Sequence, residues 1–319
     1  MTVAATLPLR RLALRFEIVD RPGPRKTHAI PVPYLGGVAV LIGLVASVAL
    51  LRRSLLPVVV LLALITALGA FDDLRHASVT TKLVTEGSIA LAAVMLGFSW
   101  HITDSPLLNG GISMLWLVGL SNAFNLLDNM DGLTSCIALV ALAGLALLQP
   151  AAAALAVPLA ACLLGFLIFN LPPARMFLGD AGSLSVGFGV GLATVIAANS
   201  AHGLHSLVLL AFPVVVALFD TSLVIVSRLR TRRPIQLGGR DHFSHRLHLL
   251  GWSNRKILAA ASNATAGGVL AAFLAGTYPD AVAWLAVPIA AGYLSAWWLL
   301  LGVNPYLAAE GARPEVVSA

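Results

Sequence analysis

The sequence predicts an all-α, polytopic membrane protein with about ten transmembrane helices. Hydrophobic residues make up 59% of the 319 residues, charged residues make up only 11%, and the mean hydropathy is +0.91. An ordinary soluble domain contains about a quarter charged residues. This chain instead gathers its polar residues between long apolar runs, which is the pattern of a protein that crosses a bilayer repeatedly.

Ten apolar runs approach the length needed to cross about 30 Å of hydrocarbon. Charged or turn-forming residues separate them: Arg52 and Arg53 follow the first run, F-D-D-L-R-H the second and R-L-R-T-R-R the eighth, and Pro150 divides the fifth from the sixth. The predicted spans are 35–51, 55–71, 83–100, 112–127, 133–149, 151–170, 182–198, 205–227, 256–276 and 281–302.

The distribution of basic residues predicts the orientation. With a cytoplasmic N-terminus, every Lys and Arg except Arg52 and Arg53 falls on the cytoplasmic side. We therefore predict one domain, 1–319, in the inner (plasma) membrane, with cytoplasmic segments at about 1–34 and 228–255. The net charge of +6 comes from basic residues that flank the spans and that can attract anionic lipid or an anionic substrate, so no nucleic-acid partner is expected.

Two further features have structural interpretations. The segment M-T-V-A-A-T-L-P-L-R-R lacks the long apolar core of a signal peptide and favours an interfacial helix with Arg10, Arg11 and Arg15 on its polar side. Cys136 and Cys162 fall inside predicted spans without CxxC or Cys/His spacing. We interpret them as buried apolar side chains rather than as a disulfide or metal ligands.

Five aspartates interrupt the apolar pattern at the ends of predicted spans, where a lone charge is costly to desolvate. Counting spans from a cytoplasmic start places all five, and the histidine-containing loop after the eighth span, on the cytoplasmic face. Each alone has a local explanation as a solvated helix end or a cap of the next helix. Their meeting on one face has no such explanation, so we predict an active site there. The five are Asp72, Asp73, Asp128, Asp131 and Asp180.

This set of residue types suits a diphosphate substrate and a lipid partner. Mg²⁺ or Mn²⁺ binds through one or two carboxylates plus phosphate oxygens, while Arg, Lys and His donors hold the phosphates. A carboxylate can also act as base or nucleophile in phosphoryl transfer. No G-x-x-x-x-G-K-[ST] motif is present, which argues against P-loop ATP hydrolysis. Asp220, inside the eighth span, either lines the polar cavity or pairs with a neighbouring helix.

The chain resembles the polyprenyl-phosphate N-acetylhexosamine-1-phosphate transferases, the glycosyltransferase family 4 enzymes that include undecaprenyl-phosphate GlcNAc-1-phosphate transferases and phospho-MurNAc-pentapeptide translocase. The resemblance extends from about Val19 to Gly251. Any one matching segment is weak evidence, but five in family order on a polytopic chain are highly specific. The five are V-D-R-P-G-P-R-K-T-H-A-I-P-V-P-Y-L-G-G, F-D-D-L, N-A-F-N-L-L-D-N-M-D-G-L, F-N-L-P-P-A-R-M-F-L-G-D-A-G-S-L and G-G-R-D-H-F-S-H-R-L.

The resemblance implies transfer of a sugar 1-phosphate from a UDP-N-acetylhexosamine, most closely UDP-GlcNAc, to undecaprenyl phosphate. UMP is released, and the product initiates a cell-envelope glycan. It also implies Mg²⁺, with Mn²⁺ as a substitute, and permits a homodimer. Phospho-MurNAc-pentapeptide transfer stays the alternative within the family. A cation-coupled transporter is the alternative from another class, and only Asp220 and Glu86 meet its requirement for acids near mid-span.

Residue roles follow from the matching motifs. The resemblance implies that Asp72, Asp73, His242 and His245 are catalytic, with Asp72 deprotonating the lipid phosphate or acting covalently. Asp180 would be the principal Mg²⁺ ligand, and Asp72 would also contact the metal. The residues expected to bind substrate are Lys82 at the phosphates, Asn125, Asp128 and Asp131 around the nucleotide, Asn170 and Phe177 near uridine, and Arg246 beside the histidines at the diphosphate and sugar.

The chain departs from the family pattern at three places. Glu86 stands where a glutamine is usual, one turn after Lys82. Ser244 interrupts the tighter histidine cluster. Residues before Val19 contain too few apolar side chains for the further span that related proteins carry.

Overall fold

The structure, a computed structural model, describes residues 1–21, 30–236, 238–278, 282–303 and 305. Helices dominate it, and the short strands β1 (Val19–Asp20) and β2 (Val32–Pro33) pair antiparallel. The α-helices of the described residues are α1 (Thr2–Arg15), α2 (Gly36–Leu51), α3 (Leu56–Arg75), α4 (Val79–Met95), α5 (Pro106–Leu127), α6 (Leu133–Leu148), α7 (Pro150–Asn170), α8 (Gly179–Ala198), α9 (Gly203–Ala211), α10 (Val215–Arg230), α11 (Phe243–Leu249), α12 (Asn254–Thr277) and α13 (Val282–Gly302).

Within the described residues each of the ten predicted spans lies largely on helix, which confirms the all-α class; residue 281 of the last span lies outside the described residues. The protein is a multi-pass membrane protein, because six helical segments of the described residues are long and apolar enough to cross a bilayer. α2, α6 and the Val287–Gly302 part of α13 are shorter apolar helices. That all ten segments cross stays a prediction. The six are Arg53–Arg75, Pro106–Leu127, Pro150–Asn170, Gly179–Ala198, Gly203–Arg230 and Asn254–Thr277.

Several helix boundaries differ from those predicted. α4 and α5 begin earlier than residues 83 and 112, because the Ser78 and Ser105 hydroxyls cap first turns that polar or glycine residues separate from the apolar runs. The eighth predicted span is two helices joined by a 3₁₀ turn at Phe212–Val214, where Pro213 provides no backbone N–H. The predicted loop 228–255 contains α11.

Helix α8 occupies the centre of the bundle and is buried along almost its whole length. Glycines allow its neighbours to approach closely: a Cβ added to Gly37 of α2 would lie 2.2 Å from the Gly182 nitrogen. A Cβ added to Gly69 of α3 would lie 2.3 Å from the Asp180 carbonyl oxygen. The end of α3 therefore lies against the start of α8, and this contact brings their aspartates together.

The N-terminal helix and the cysteines agree with their interpretations in part. α1 is helical and packs on α2 and α7, with Arg10 donating a hydrogen bond to the Arg175 carbonyl at 3.1 Å. Both cysteines are free thiols, Cys162 buried and Cys136 half-buried. Whether α1 lies in the membrane interface stays a prediction.

Candidate active site

A cavity of about 420 Å³ lies where the ends of α3, α5 and α7, the start of α8 and the helix α11 meet. Its lining confirms the predicted convergence of polar segments that are distant in sequence. The predicted site residues that line it are Asp72, Asp73, Asn125, Asp128, Asp131, Asn170, Phe177, Asp180 and His245.

At the centre, the Lys82 ammonium joins two carboxylates. Lys82 Nζ donates to Asp72 Oδ2 at 2.5 Å and to Asp180 Oδ2 at 3.1 Å. The two carboxyl groups are also close enough to hydrogen-bond with each other. Because carboxylates repel unless a proton or cation lies between them, this arrangement is stable only with a positive partner. Asp72 is fixed further by the Ala77 amide, which donates to its Oδ1 at 2.7 Å.

Asp73 caps the first turn of α8. Its two oxygens accept hydrogen bonds from the backbone N–H groups of Asp180 and Ala181 at 3.0 and 3.1 Å. Such amides have no partner within their own helix, and a carboxylate satisfies both while complementing the helix dipole. Asp73 therefore fixes the backbone that carries Asp180.

Asn125 completes the surroundings of Asp180 from α5. Its Nδ2 donates to Asp180 Oδ1 at 2.8 Å and to Ser183 Oγ at 2.9 Å. Asn125 therefore orients the Asp180 carboxylate through the oxygen that Lys82 does not contact, and its own position depends on Ser183, one turn into α8.

Asp128 and Asp131 lie in the turn between α5 and α6, so they do not share a helix face. Asp131 Oδ2 accepts a hydrogen bond from the Ala174 amide at 2.9 Å and joins this turn to the loop after α7. Burial, together with the nearby carboxylates of Asp180, Asp73 and Asp131, raises the pKa of Asp128 to about 7. Asp128 can therefore carry a proton near neutral pH.

Asn170 and Phe177 frame the loop between α7 and α8. Asn170 is buried, accepts a hydrogen bond from Ser135 Oγ at 2.9 Å and donates to the Met176 carbonyl at 3.1 Å, so its amide is engaged in holding the loop. The Phe177 amide donates to the Pro33 carbonyl at 2.8 Å, while its residue lines the cavity as a half-buried aromatic surface.

The histidines depend on a buried acid of α10. Asp220 Oδ2 lies 2.7 Å from His242 Nδ1, and its Oδ1 accepts a hydrogen bond from the Phe243 amide at 2.8 Å. The alternative that Asp220 pairs with a neighbouring element is thus the one observed. His242 packs edge-on against His245 with ring centroids 5.5 Å apart. Burial, together with the neighbouring His242, lowers the pKa of His245 to about 4.

Arg246 lies outside the cavity lining and makes structural contacts. It is buried, and its guanidinium donates to the Asp241, Leu300 and Val303 carbonyls and to Ser227 Oγ. These bonds fix α11 against α10 and the end of α13. Its predicted role at the diphosphate stays a prediction.

Comparison with known proteins identifies the family. Residues 55–198 match the model "Glycosyl transferase family 4". Over 80% of its length the chain is 30% identical to the Bacillus subtilis "Probable undecaprenyl-phosphate N-acetylglucosaminyl 1-phosphate transferase" and covers 76% of that protein. The chain belongs to glycosyl transferase family 4, the polyprenyl-phosphate hexosamine-1-phosphate transferases.

Two other relatives show the breadth of the similarity to family 4. The chain is 32% identical over 80% of its length to the Mycolicibacterium smegmatis "Decaprenyl-phosphate N-acetylglucosaminephosphotransferase" and covers 75% of it. It is 31% identical over 76% of its length to the Rubrobacter xylanophilus "Phospho-N-acetylmuramoyl-pentapeptide-transferase" and covers 82% of it. Family membership therefore does not by itself choose between the two sugars.

The donor set of this family 4 chain fits a magnesium ion. Among the described residues there is no cluster of three or more His, Cys, Asp or Glu side chains that could hold a metal. Mg²⁺ needs fewer, because it usually keeps waters and binds through one or two carboxylates plus substrate phosphates. Asp72 and Asp180 provide two such hard oxygen ligands that already share one cationic partner.

Some cavity residues were not assigned from the sequence. Asp20 of β1 and Tyr34, which follows β2, line the cavity with His76 and Asn129. The signal for the first two was available, since V-D-R-P-G and P-Y-L-G-G belong to a matching segment. Asn129 lies between Asp128 and Asp131 and accepts a hydrogen bond from Ser244 Oγ at 2.5 Å, so it links the α5–α6 turn to α11.

Proposed function

We propose that this protein transfers N-acetylglucosamine 1-phosphate from UDP-N-acetylglucosamine to undecaprenyl phosphate and releases UMP. The observation that carries the proposal is the meeting of Asp72, Lys82 and Asp180 beside a cavity that His245 also lines. Two of the named relatives act, by their names, as polyprenyl-phosphate N-acetylglucosamine-1-phosphate transferases, which supports this reaction class.

In this reaction an oxygen of the lipid phosphate attacks the β-phosphorus of the UDP-sugar. A P–O bond forms to the lipid, and the bond between the β-phosphorus and the bridging oxygen breaks with its electron pair leaving on UMP. Asp72 would accept the proton of the lipid phosphate, and Asp72 and Asp180 would hold Mg²⁺. When bound, Mg²⁺ neutralises charge on the diphosphate. In the absence of a divalent cation, Lys82 holds the two carboxylates together, and its contact with the phosphates stays a prediction.

The rest of the cavity suits the nucleotide-sugar. Phe177 offers an aromatic surface on which a uracil ring can stack, and Asp131 and Asn125 line the same cavity with polar groups. His245 is neutral at neutral pH because of its lowered pKa, so it can donate a hydrogen bond to the sugar or diphosphate without holding a fixed charge.

We propose further that all ten apolar segments cross the plasma membrane and that the cavity opens to the cytoplasm. The positive-inside distribution of Lys and Arg supports this orientation. UDP-sugars are cytoplasmic substrates, so the orientation and the reaction require each other.

The test is UMP release by the purified, detergent-solubilised protein given UDP-N-acetylglucosamine, undecaprenyl phosphate and Mg²⁺. Asp180→Asn should lower the rate by about 10²–10³-fold, because it removes a charge that holds the metal. Asp104→Asn, at an exposed aspartate before α5, is the matched control and should leave the rate unchanged. Release only with UDP-MurNAc-pentapeptide would favour the alternative donor. Absence of UMP release with every UDP-N-acetylhexosamine would overturn the proposal.

A further inference from the structure

Glu86 is a fully buried acid on α4 with an incomplete set of hydrogen bonds. Asn122 of α5 donates its amide to Glu86 Oε2. Glu86 Oε1 has no hydrogen-bond partner among the described residues. A buried carboxyl oxygen without a donor costs free energy, and a donor that reaches it in another state of the protein would remove that cost.

The nearest candidate donor is Lys82, one turn earlier on the same helix. Side chains at positions i and i+4 are neighbours on a helix surface, and the charges of Lys82 and Glu86 are close enough to interact. In the present state the ammonium contacts Asp72 and Asp180 instead. It therefore occupies the space between the two carboxylates in which the proposed divalent cation would bind.

An ammonium and a divalent cation cannot share this space, because like charges about 4 Å apart repel strongly in a partly buried site. We propose that Glu86 is the second partner of Lys82: when a divalent cation binds between Asp72 and Asp180, the Lys82 ammonium moves to Glu86 Oε1. Glu86 is then a positioning residue for the metal site. This inference rests on the metal site of the proposed function.

The charges of the four groups support this exchange. With all three carboxylates ionised, Asp72, Asp180, Glu86 and Lys82 carry two net negative charges, which one divalent cation neutralises. Without the Glu86 carboxylate, the displaced ammonium would have no buried acceptor and would continue to compete for Asp72 and Asp180. Glu86 should therefore strengthen metal binding although it does not contact the metal.

Mn²⁺ binding to the purified full chain, measured by electron paramagnetic resonance of free Mn²⁺, tests the exchange. Glu86→Gln keeps the side-chain shape and the acceptor for Asn122, and it should weaken Mn²⁺ binding about tenfold or more, as loss of a supporting partner of a metal site does. In a Lys82→Met background, which has no ammonium to relocate, Glu86→Gln should change the affinity less than about threefold. Glu17→Gln, at an exposed glutamate, is the matched control.

The outcomes separate the exchange from the reaction on which it rests. Unchanged Mn²⁺ affinity in Glu86→Gln, while the wild-type protein binds Mn²⁺, would overturn only the exchange. Equal weakening with and without Lys82 would also overturn it, because Glu86 would then act through its charge alone. Absence of Mn²⁺ binding to the wild-type protein would overturn the metal site and the exchange together, and UMP release measured in parallel would show whether the transferase reaction survives.

Discussion

The carboxylate of Asp220 in α10 lies 2.7 Å from Nδ1 of His242 at the start of α11, and both side chains are buried. A carboxylate at this distance favours a proton on Nδ1 and leaves Nε2 as the acceptor. The second Asp220 oxygen holds the Phe243 amide, so one acid fixes the ring and the first turn of α11. The His245 ring in turn packs against the His242 ring.

Asp220→Asn should lower kcat for UMP release by about 10–100-fold, because an amide does not hold the imidazole in one tautomer as a carboxylate does. The KM for the UDP-sugar should change less, since Asp220 does not line the cavity. Steady-state kinetics beside the Asp104→Asn control measure both quantities. A variant with wild-type kcat would show that the pair serves folding alone.

The close approach of α3 to α8 depends on Gly69. Gly69→Ala places a Cβ about 2.3 Å from the Asp180 carbonyl oxygen, so the helices must separate. We expect a loss of about 1–3 kcal/mol in the free energy of unfolding, together with a lower rate of UMP release. Gly119→Ala in α5 is the matched control, because its Cβ would meet nothing within 4 Å. A Gly69→Ala protein as active and heat-stable as this control would mean that the contact can relax without cost.

Because Asp73 caps α8 through its side-chain oxygens, Asp73→Ala and Asp73→Asn should differ in their effect on the free energy of unfolding. Asp73→Ala removes both acceptors and should cost about 0.5–2 kcal/mol of stability, whereas Asp73→Asn keeps an acceptor oxygen and should cost less. Melting temperatures in detergent measure the difference. If the two variants melted together, the cap would not contribute to stability, and any loss of activity would belong to the charge of Asp73.

The sequence was sufficient to predict that these aspartates meet, because charge is costly in an apolar chain and the order of spans assigns each acid to one face. It was not sufficient to assign what each one does. Asp73 caps a helix that begins more than one hundred residues later, and nothing in F-D-D-L indicates which helix that is. Asn170 was expected near uridine, but its amide holds the loop through Ser135 and Met176.

Polar residues within helices were the hardest to interpret for the same reason. Asp220 was recognised as unusual, yet its partner His242 follows it by 22 residues and a loop. The sequence marks Glu86 as a departure from a family pattern and as an acid near mid-span, and its unsatisfied oxygen is visible only once α4 and α5 are packed. Local sequence shows that such a residue needs a partner, whereas tertiary structure shows which one it has.

Arg246 can be tested for the structural role that its contacts indicate. Arg246→Lys replaces a planar group that reaches Ser227 and the Val303 carbonyl together with a single ammonium that cannot. Leaving these buried groups unpaired should cost about 1–3 kcal/mol in thermal stability, while the KM for the UDP-sugar changes less than about twofold. A large rise in KM without loss of stability would instead support contact with the diphosphate.

His245 should make the stability of the protein sensitive to acid. Burial and the positive charges of His242, Arg240 and His248 lower its pKa to about 4, with Asp220 opposing them. In the unfolded chain the pKa is about 6.5. As the pH falls below about 6.5, His245 therefore becomes protonated in the unfolded state. In the folded state it stays neutral until about pH 4. The stability that neutral His245 contributes is present above 6.5 and is lost across this window.

His245→Gln removes this titration, so its melting temperature should fall less than that of the wild-type protein between pH 6.5 and 4. Above pH 6.5 the two curves should run parallel. His101→Gln, at an exposed histidine, is the matched control and should follow the wild type at every pH. Parallel curves for wild type and His245→Gln across the acid window would mean that folding does not lower the pKa of His245, and the argument that this side chain is a neutral hydrogen-bond donor at the sugar and diphosphate would then lose its basis.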